Sequence, residues 1–300
     1  MAGIPFVREL KFEYGVSADA SPRIRRIVAN NPGPFTYLGT GVYVIGHGEV
    51  AVIDPGPNNP EHFEALKKAL KGETITHVFV THSHMDHSPL AHPLAEYAGC
   101  KVYAAGSAIA SESEVRMEAG DDLRFAPDVV VKDGDTFTGP DWTIEVITTP
   151  GHTSNHVCFA LKEENALFAG DHVMGWSTTV ISPPDGHMGD YFASLDNVRA
   201  RGFATIWPTH GPPITDVAPF LDAYIAHRRA REQQILDRLR AGDTRIPDMV
   251  AVMYKDVDKR LHPAACHSVL AHVIHLVELG QVQADGPPGI TTDYRLPAAA

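Results

Sequence analysis

Three cysteines in 300 residues, Cys100, Cys158 and Cys266, are too few, too far apart and odd in number for a disulfide framework. No C-x-x-C pair suggests a thiolate metal site either, so these read as buried, inert thiols. Long apolar runs are missing as well. Nothing approaches the ~20 residues of a membrane span, and the N-terminus lacks the charged-then-apolar layout of a secretion signal. The expectation is a soluble, cytoplasmic protein with no membrane partner. Basic residues are scarce, 25 Lys and Arg against 37 Asp and Glu, for a formal charge of −12. That deficit argues against a large basic surface for nucleic acid, because Lys and Arg contacts to phosphate supply most non-specific affinity. A local basic groove stays compatible with it. Present in quantity are apolar residues, 44% of the chain, enough to bury a real core. The length suits one large domain plus an appendage.

Also present are 17 histidines, and six consecutive positions concentrate their chemistry. The apolar run Ile75-Thr76-His77-Val78-Phe79-Val80 ends in Thr81-His82-Ser83-His84-Met85-Asp86-His87. In extended chain, side chains repeat every second residue, so His82 and His84 point to one side. Asp86 and His87 lie beyond, where the chain must turn. Two ligand pairs therefore face two places. Imidazole and carboxylate are zinc-type ligands, and H-x-H-x-D-H supplies half of two adjacent sites. The complement follows in order: His152 in Pro150-Gly151-His152-Thr153, Asp171 after Ala166-Leu167-Phe168-Ala169-Gly170, and His210 after Ile206-Trp207-Pro208-Thr209. Each stands just beyond a short apolar run beside Gly or Pro, at strand ends where a rigid sheet can aim side chains at one point.

Along the chain, residues 1–34 read as an edge strand and a turn, and 41–46 with 50–54 as a hairpin through Gly46-His47-Gly48-Glu49. Asp54 then reads either as a carboxylate that orients a ligand histidine or as a turn former. Asn58 or Asn59 caps a helix carrying Phe63, Leu66 and Leu70 on one face. The strand 75–80, a helix at 89–98 and a strand at 101–104 alternate as β and α, which predicts parallel or mixed pairing. Residues 106–125 read as a solvent-facing helix or a flap. From Val129 come strands at 129–131, 142–148, 157–161 and 166–169, expected to form a second packed sheet. His156 and His172 flank the ligand positions and read as hydrogen-bonded neighbours of the site.

The irregular run 175–189 reads as a substrate wall, with Thr178, Thr179 and His187 as its polar contacts. A long helix spans about 216–240, with Arg228, Arg229 and Arg231 on its middle turns, either a solvated face or cations for an anionic substrate. Two more helices near 247–254 and 261–279 precede a Gly/Pro turn. In 245–300 there are five basic residues against six acids, so packing or a homodimer contact suits this part better than reading a duplex.

The order H-x-H-x-D-H, PGHT, GD and a late His before Gly resembles the metallo-β-lactamase superfamily over roughly residues 35–215. That resemblance implies an α/β (α+β) fold, a four-layer αββα sandwich with two metals at one edge. It places one metal on His82, His84 and His152, the other on Asp86, His87 and His210, and Asp171 as the bridge. With the long helix and the helix, helix and short hairpin after it, which resemble a winged-helix unit, the expected units are 1–215 (catalytic), 216–242 (connecting helix) and 243–300 (winged-helix-like).

Asn31-Pro32-Gly33-Pro34 with Gly39-Thr40-Gly41, and 228–234 (RRAREQQ) leading into 261–282, resemble the β-lactamase-like protein 2 group. A characterised member of that group is a zinc-dependent endoribonuclease on single-stranded RNA. The sequence reads Gly39-Thr40-Gly41 where the group has G-T-N. The implied function is a hydrolase using two divalent ions, zinc first and manganese or iron as alternatives. It would cleave phosphodiesters of single-stranded RNA or, in the alternative, lactones, esters or thioesters in the manner of glyoxalase II. Asp86 is the expected catalytic carboxylate as well as a ligand, with Asp54 and His156 behind the ligands. A redox role of the flavodiiron kind lacks the flavodoxin partner domain it needs.

Overall fold

The computed structural model describes residues 3–107 and 120–298. One sheet holds β1 (Ala18–Asp19), β2 (Ile24–Val28), β3 (Gly41–Ile45), β4 (Glu49–Ile53), β5 (Thr74–Phe79), β6 (Lys101–Ala104) and β7 (Val129–Val130), paired in sequence order. A second holds β8 (Thr136–Thr138), β9 (Thr143–Thr148), β10 (Val157–Leu161), β11 (Ala166–Gly170) and β12 (Thr205–Pro208), paired from β12 back to β8. The helices are α1 (Pro60–Ala69), α2 (Ala91–Ala98), α3 (Met188–Arg201), α4 (Val217–Arg240), α5 (Ile246–Met253) and α6 (His262–Glu278), and a small ribbon pairs β13 (Gln283–Ala284) with β14 (Tyr294–Arg295).

Strand alternation builds the layers. Val42 and Val44 face α1 and α2, meeting Leu66 and Leu94, while Tyr43 and Ile45 turn the other way and meet Ile144, Phe159 and Phe168 of the second sheet. On that sheet Ile147, Leu167 and Ile206 face outward again, against Tyr191, Leu195 and Tyr224 of α3 and α4. The result is the four-layer αββα sandwich. A separate core joins the C-terminal half of α4 to α5, α6 and the ribbon through Ile235, Met249, Val269 and Tyr294, the helix-helix-wing arrangement of a winged helix.

β4 to β7 pair in parallel, as β–α alternation requires, and so do β11 and β12. The hairpin turn carries Gly46 and Gly48 at φ of 85° and 75°. Asn59 caps α1, its side chain accepting from the backbone of Glu61 and His62. One expectation is corrected. The strand near 129–131 joins the first sheet, because Val129 pairs with Tyr103 and Val131 N donates to Ala104 O. The stretch expected to be a solvent-facing helix or a flap falls mostly on 108–119, outside the described residues. Residues 120–122 lie beside the histidine motif, with Met85 N donating to Gly120 O and Asp122 N to Ser83 O. Among the described residues no helix is long and apolar enough to cross a membrane.

Candidate metal centre

Loops at the strand ends bring the seven expected ligands together. His82, His84 and His152 offer one set of converging ligand atoms, Asp86, His87 and His210 another, and Asp171 joins His82 and His87 in a third; within each set the atoms lie within 4.8 Å. All seven residues are buried.

Three of the rings are held directly by the far nitrogen. His87 Nδ1 lies 2.9 Å from Asp54 Oδ2, His152 Nδ1 2.8 Å from Val180 O, and His210 Nδ1 3.2 Å from Gly39 O. A carbonyl or carboxylate only accepts, so Nδ1 donates in each case and Nε2 keeps its lone pair for the centre. His82 follows by one more step. Thr81 Oγ1 gives its proton to Asp54 Oδ2 at 2.8 Å and so accepts from His82 Nδ1 at 3.0 Å. Asp54 is thus the hub, fully buried, taking Thr81 N, Thr81 Oγ1, His87 Nδ1 and Thr209 Oγ1 on its two oxygens.

Glycines let these elements meet. A Cβ on Gly170, which has φ of 51°, would stand 2.7 Å from His156 Nε2 and 2.8 Å from Thr81, so only glycine puts Asp171 over the cluster. His156 lies behind, as expected: its Nε2 accepts from Asp171 N at 3.3 Å while Nδ1 meets Thr149 Oγ1 at 2.8 Å. His172 points away, packed on Tyr191.

The charges of the cluster oppose one another. Burial, then the neighbouring imidazoles, hold His82 well below the usual histidine range and His84 near 3. Burial also acts on His87 and His210, but Asp86 and Asp171 outweigh it and raise both. Burial would raise the two carboxylates, yet these same histidines hold them low. His87 Nε2, His210 Nε2 and Asp171 Oδ1 are buried without a hydrogen bond. His210 Nε2 faces Asp86 Oδ2 at 3.0 Å and Asp171 Oδ1 at 3.5 Å. Imidazoles and carboxylates crowded this closely in a dry site suit divalent cations, which would displace the histidine protons. The donor set, imidazole and carboxylate with no thiolate, fits zinc, manganese or iron.

Residues 37–210, more than half of the chain, match the Metallo-beta-lactamase superfamily. The chain belongs to the metallo-beta-lactamase superfamily. It is accordingly a metallo-hydrolase. Residues 246–289 match the Beta-lactamase associated winged helix domain. The chain is 32% identical to the Beta-lactamase-like protein 2 homolog of Caenorhabditis elegans, over 88% of this chain and 87% of that protein. It is 30% identical to an Atrochrysone carboxyl ACP thioesterase of Emericella nidulans, over 87% of this chain and 80% of that one. The crystal structure of a beta-lactamase domain protein from Burkholderia ambifaria shares the fold, with a TM-score of 0.80 and 21% identity over 98% of this chain and 97% of that one.

Around the metallo-beta-lactamase cluster, the expected substrate contacts are redistributed. Thr178 lines an open cavity. Thr179 is buried, its hydroxyl donating to Asp171 O and His172 O, and so braces the backbone of the centre instead of facing substrate. His187 caps α3 and meets Glu278 of α6 at 3.0 Å, a tie to the winged helix. Arg228 is buried over the Tyr191 ring and donates to Thr179 O, so it is withdrawn from any anionic ligand. Two contributors escaped the sequence. Asp121 approaches His84 Nε2 at 3.5 Å from a stretch read as a solvent helix. Arg26 donates to Thr209 O and Gly211 O on either side of His210. No local pattern marks either one.

Proposed function

We propose that the chain hydrolyses esters, with thioesters of a bulky acyl group as the favoured class. Two divalent ions would be held by His82, His84 and His152 and by Asp86, His87 and His210, with Asp171 between them. The observation that carries this reading is the convergence of those buried ligand atoms, with an open cavity of about 500 Å³ lined by Trp176, whose ring packs on Gly211, the residue after His210. When bound, such ions supply a water acidic enough to attack near neutral pH and polarise the scissile carbonyl. Asp86, its carboxylate kept ionised by His87 and His210, would accept a hydrogen bond from the attacking water and orient it. Thr179, Tyr224 and Arg228 fix the loop that carries Asp171 and so keep the acceptor geometry constant. A thiolate, from a thiol of pKa about 8.5, leaves near neutral pH without a strong acid. The alkoxide of a cleaved phosphodiester needs more help. The resemblance to a named thioesterase supports the same choice.

A ribonuclease reading keeps one observation in its favour. Tyr37 stacks on Trp176 at 4.6 Å beside Arg8 and Arg231, a surface on which a base and a phosphate could be held. The deciding experiment gives the metal-loaded protein acyl-coenzyme A thioesters, a lactone and a labelled single-stranded RNA at several salt concentrations. Thioester turnover with intact RNA is expected. RNA cleavage with inert thioesters would transfer the assignment to phosphodiesters.

For the units we propose 1–215 as catalytic, 216–242 as connecting helix and 243–300 as winged helix. The separate core formed by Ile235, Met249, Val269 and Tyr294 supports this division.

A further inference from the structure

The open cavity lined by Tyr37, Trp176, Arg8 and Arg231 has the make-up of a binding site in its own right. Its aromatic wall is Tyr37 stacked on Trp176, centroids 4.6 Å apart and planes 10° from parallel. Tyr37 holds φ of 54°, a conformation that costs a non-glycine residue of order 1 kcal/mol or more. Its hydroxyl donates to Arg8 O, and Val7 N donates to Gly175 O, so the N-terminal segment is strapped across the loop that carries Trp176. Trp176 in turn packs on Gly211, where a Cβ would stand 2.8 Å from its ring. Gly211 follows His210 directly. The indole thus contacts the residue that directly follows a ligand of the metal cluster.

The opposite lining is cationic. Arg8 and Arg231 border the cavity, and neither forms an ion pair with a carboxylate among the described residues. Arg231 is shelved over the Tyr254 ring at 4.6 Å and steadied by Gln234. His227 also lines the cavity, kept neutral by burial and by Arg228 and Arg231, its pKa near 4. In a chain of net charge −12, two unneutralised guanidiniums on one cavity are a local reversal of sign. At about 500 Å³ the space is within the range of small-molecule pockets. A flat ring can pack against the Tyr37–Trp176 stack while an anionic tail reaches the arginines.

We infer that this cavity is a subsite for a planar organic anion, an aromatic or conjugated group bearing a carboxylate or phosphate, which holds the non-reacting end of the substrate beside the metal centre. The inference depends on the hydrolase reading only for that last clause, since binding can be measured without turnover.

The test is equilibrium binding to the metal-loaded protein, followed by tryptophan fluorescence and calorimetry. The probes are 2-naphthoate, adenosine monophosphate, neutral 2-naphthalenemethanol and inorganic phosphate. Saturable binding of the naphthoate or the nucleotide is expected, with the neutral alcohol and phosphate alone each weaker by about tenfold or more. The preferred probe of the two says whether the anion is a carboxylate or a phosphate. Arg8→Gln with Arg231→Gln should weaken the planar anion by about tenfold while circular dichroism and the melting temperature stay at wild-type values. Trp176→Phe, which keeps a smaller ring, should weaken it less.

Binding indifferent to the double substitution but abolished by chelator would put the anion on the metals and overturn the inference. So would the absence of binding by both planar anions at millimolar concentration. A protein that binds them yet hydrolyses no ester would instead retire the hydrolase assignment and leave the subsite standing.

Discussion

A Cβ placed on Gly41 would stand 2.3 Å from Nε of Arg26, so the glycine and the buried guanidinium occupy one another's space. Arg26 uses that room to donate to Gly211 O at 2.7 Å and Thr209 O at 3.1 Å, while Gly41 N donates to the same Thr209 O at 2.8 Å. Tyr43, under the guanidinium, donates to Pro208 O at 2.6 Å. The backbone on both sides of His210 is thereby fixed from the neighbouring sheet.

Gly41→Asn should therefore be harmful alone and tolerated with a partner change. The added side chain must displace Arg26, an overpacking cost of ~1–3 kcal/mol, and His210 loses its brace. Thermal unfolding and metal content should both fall in the single variant. Pairing it with Arg26→Ala should recover part of the melting temperature. A single variant as stable and as metal-replete as wild type would mean that Arg26 and Gly41 are not coupled.

Asp54 gives a second prediction. Four donors meet its two oxygens, a task only an acceptor-only group performs. Its φ of 50° is one that asparagine also tolerates, so Asp54→Asn tests the donors without disturbing the backbone. The amide must turn its NH2 towards a donor, and His87 or Thr81 loses its partner. Metal affinity, measured by competition with a chelator, should drop by ~10–100-fold. Unchanged affinity would remove Asp54 from any role in orienting His87.

The metal cluster was legible in the sequence because ligand chemistry is carried by residue type, and strand-end positions such as Gly170-Asp171 are marked by glycine and a preceding apolar run. Arg26 was not, since its partners Thr209 and Gly211 lie more than 180 residues away and exist only once the sheets are stacked. β7 was assigned to the wrong sheet because two residues carry no periodicity; Val131 bonding to Ala104 decides its place. Arg228 did leave a signal. Val217, Phe220, Leu221, Tyr224 and Ile225 are buried at helical spacing, and 228 continues that series, so the burial of an arginine there was readable from α4 itself.

His187 yields a prediction about pH. Partial burial lowers its pKa, but Glu278 and Asp190 outweigh that and raise it. A group whose folded pKa is raised contributes stability that is fully present below its unfolded value, about 6.5. That contribution fades as pH rises through the folded value. The tie between α3 and α6 should thus weaken as pH rises from about 6.5 through the raised folded value, and His187→Gln should flatten the pH dependence of the melting temperature across that rise. Equal slopes for variant and wild type would show that the contact carries no proton linkage.

The last prediction separates Arg228 from its exposed neighbour and bears on the substrate. If the arginines of α4 served as a track for a polyanion, Arg228→Ala and Arg229→Ala would each weaken RNA binding and reduce its salt dependence. Arg228, however, is 3% exposed, lies over Tyr191 and donates to Thr179 O, and the hydroxyl of Thr179 in turn braces the carbonyls of Asp171 and His172. Removing it strips a buried carbonyl of its donor, at a cost of ~1–3 kcal/mol, and loosens the loop that carries Asp171. Arg228→Ala should therefore lower the melting temperature and reduce hydrolysis of every substrate, small thioesters included, with no change in salt dependence. Arg229→Ala should leave both near wild type. Melting curves and thioester hydrolysis at several salt concentrations read the outcome directly. A selective loss of RNA cleavage in the Arg228 variant, with thioester turnover intact, would return this arginine to the substrate and the enzyme to the nucleases.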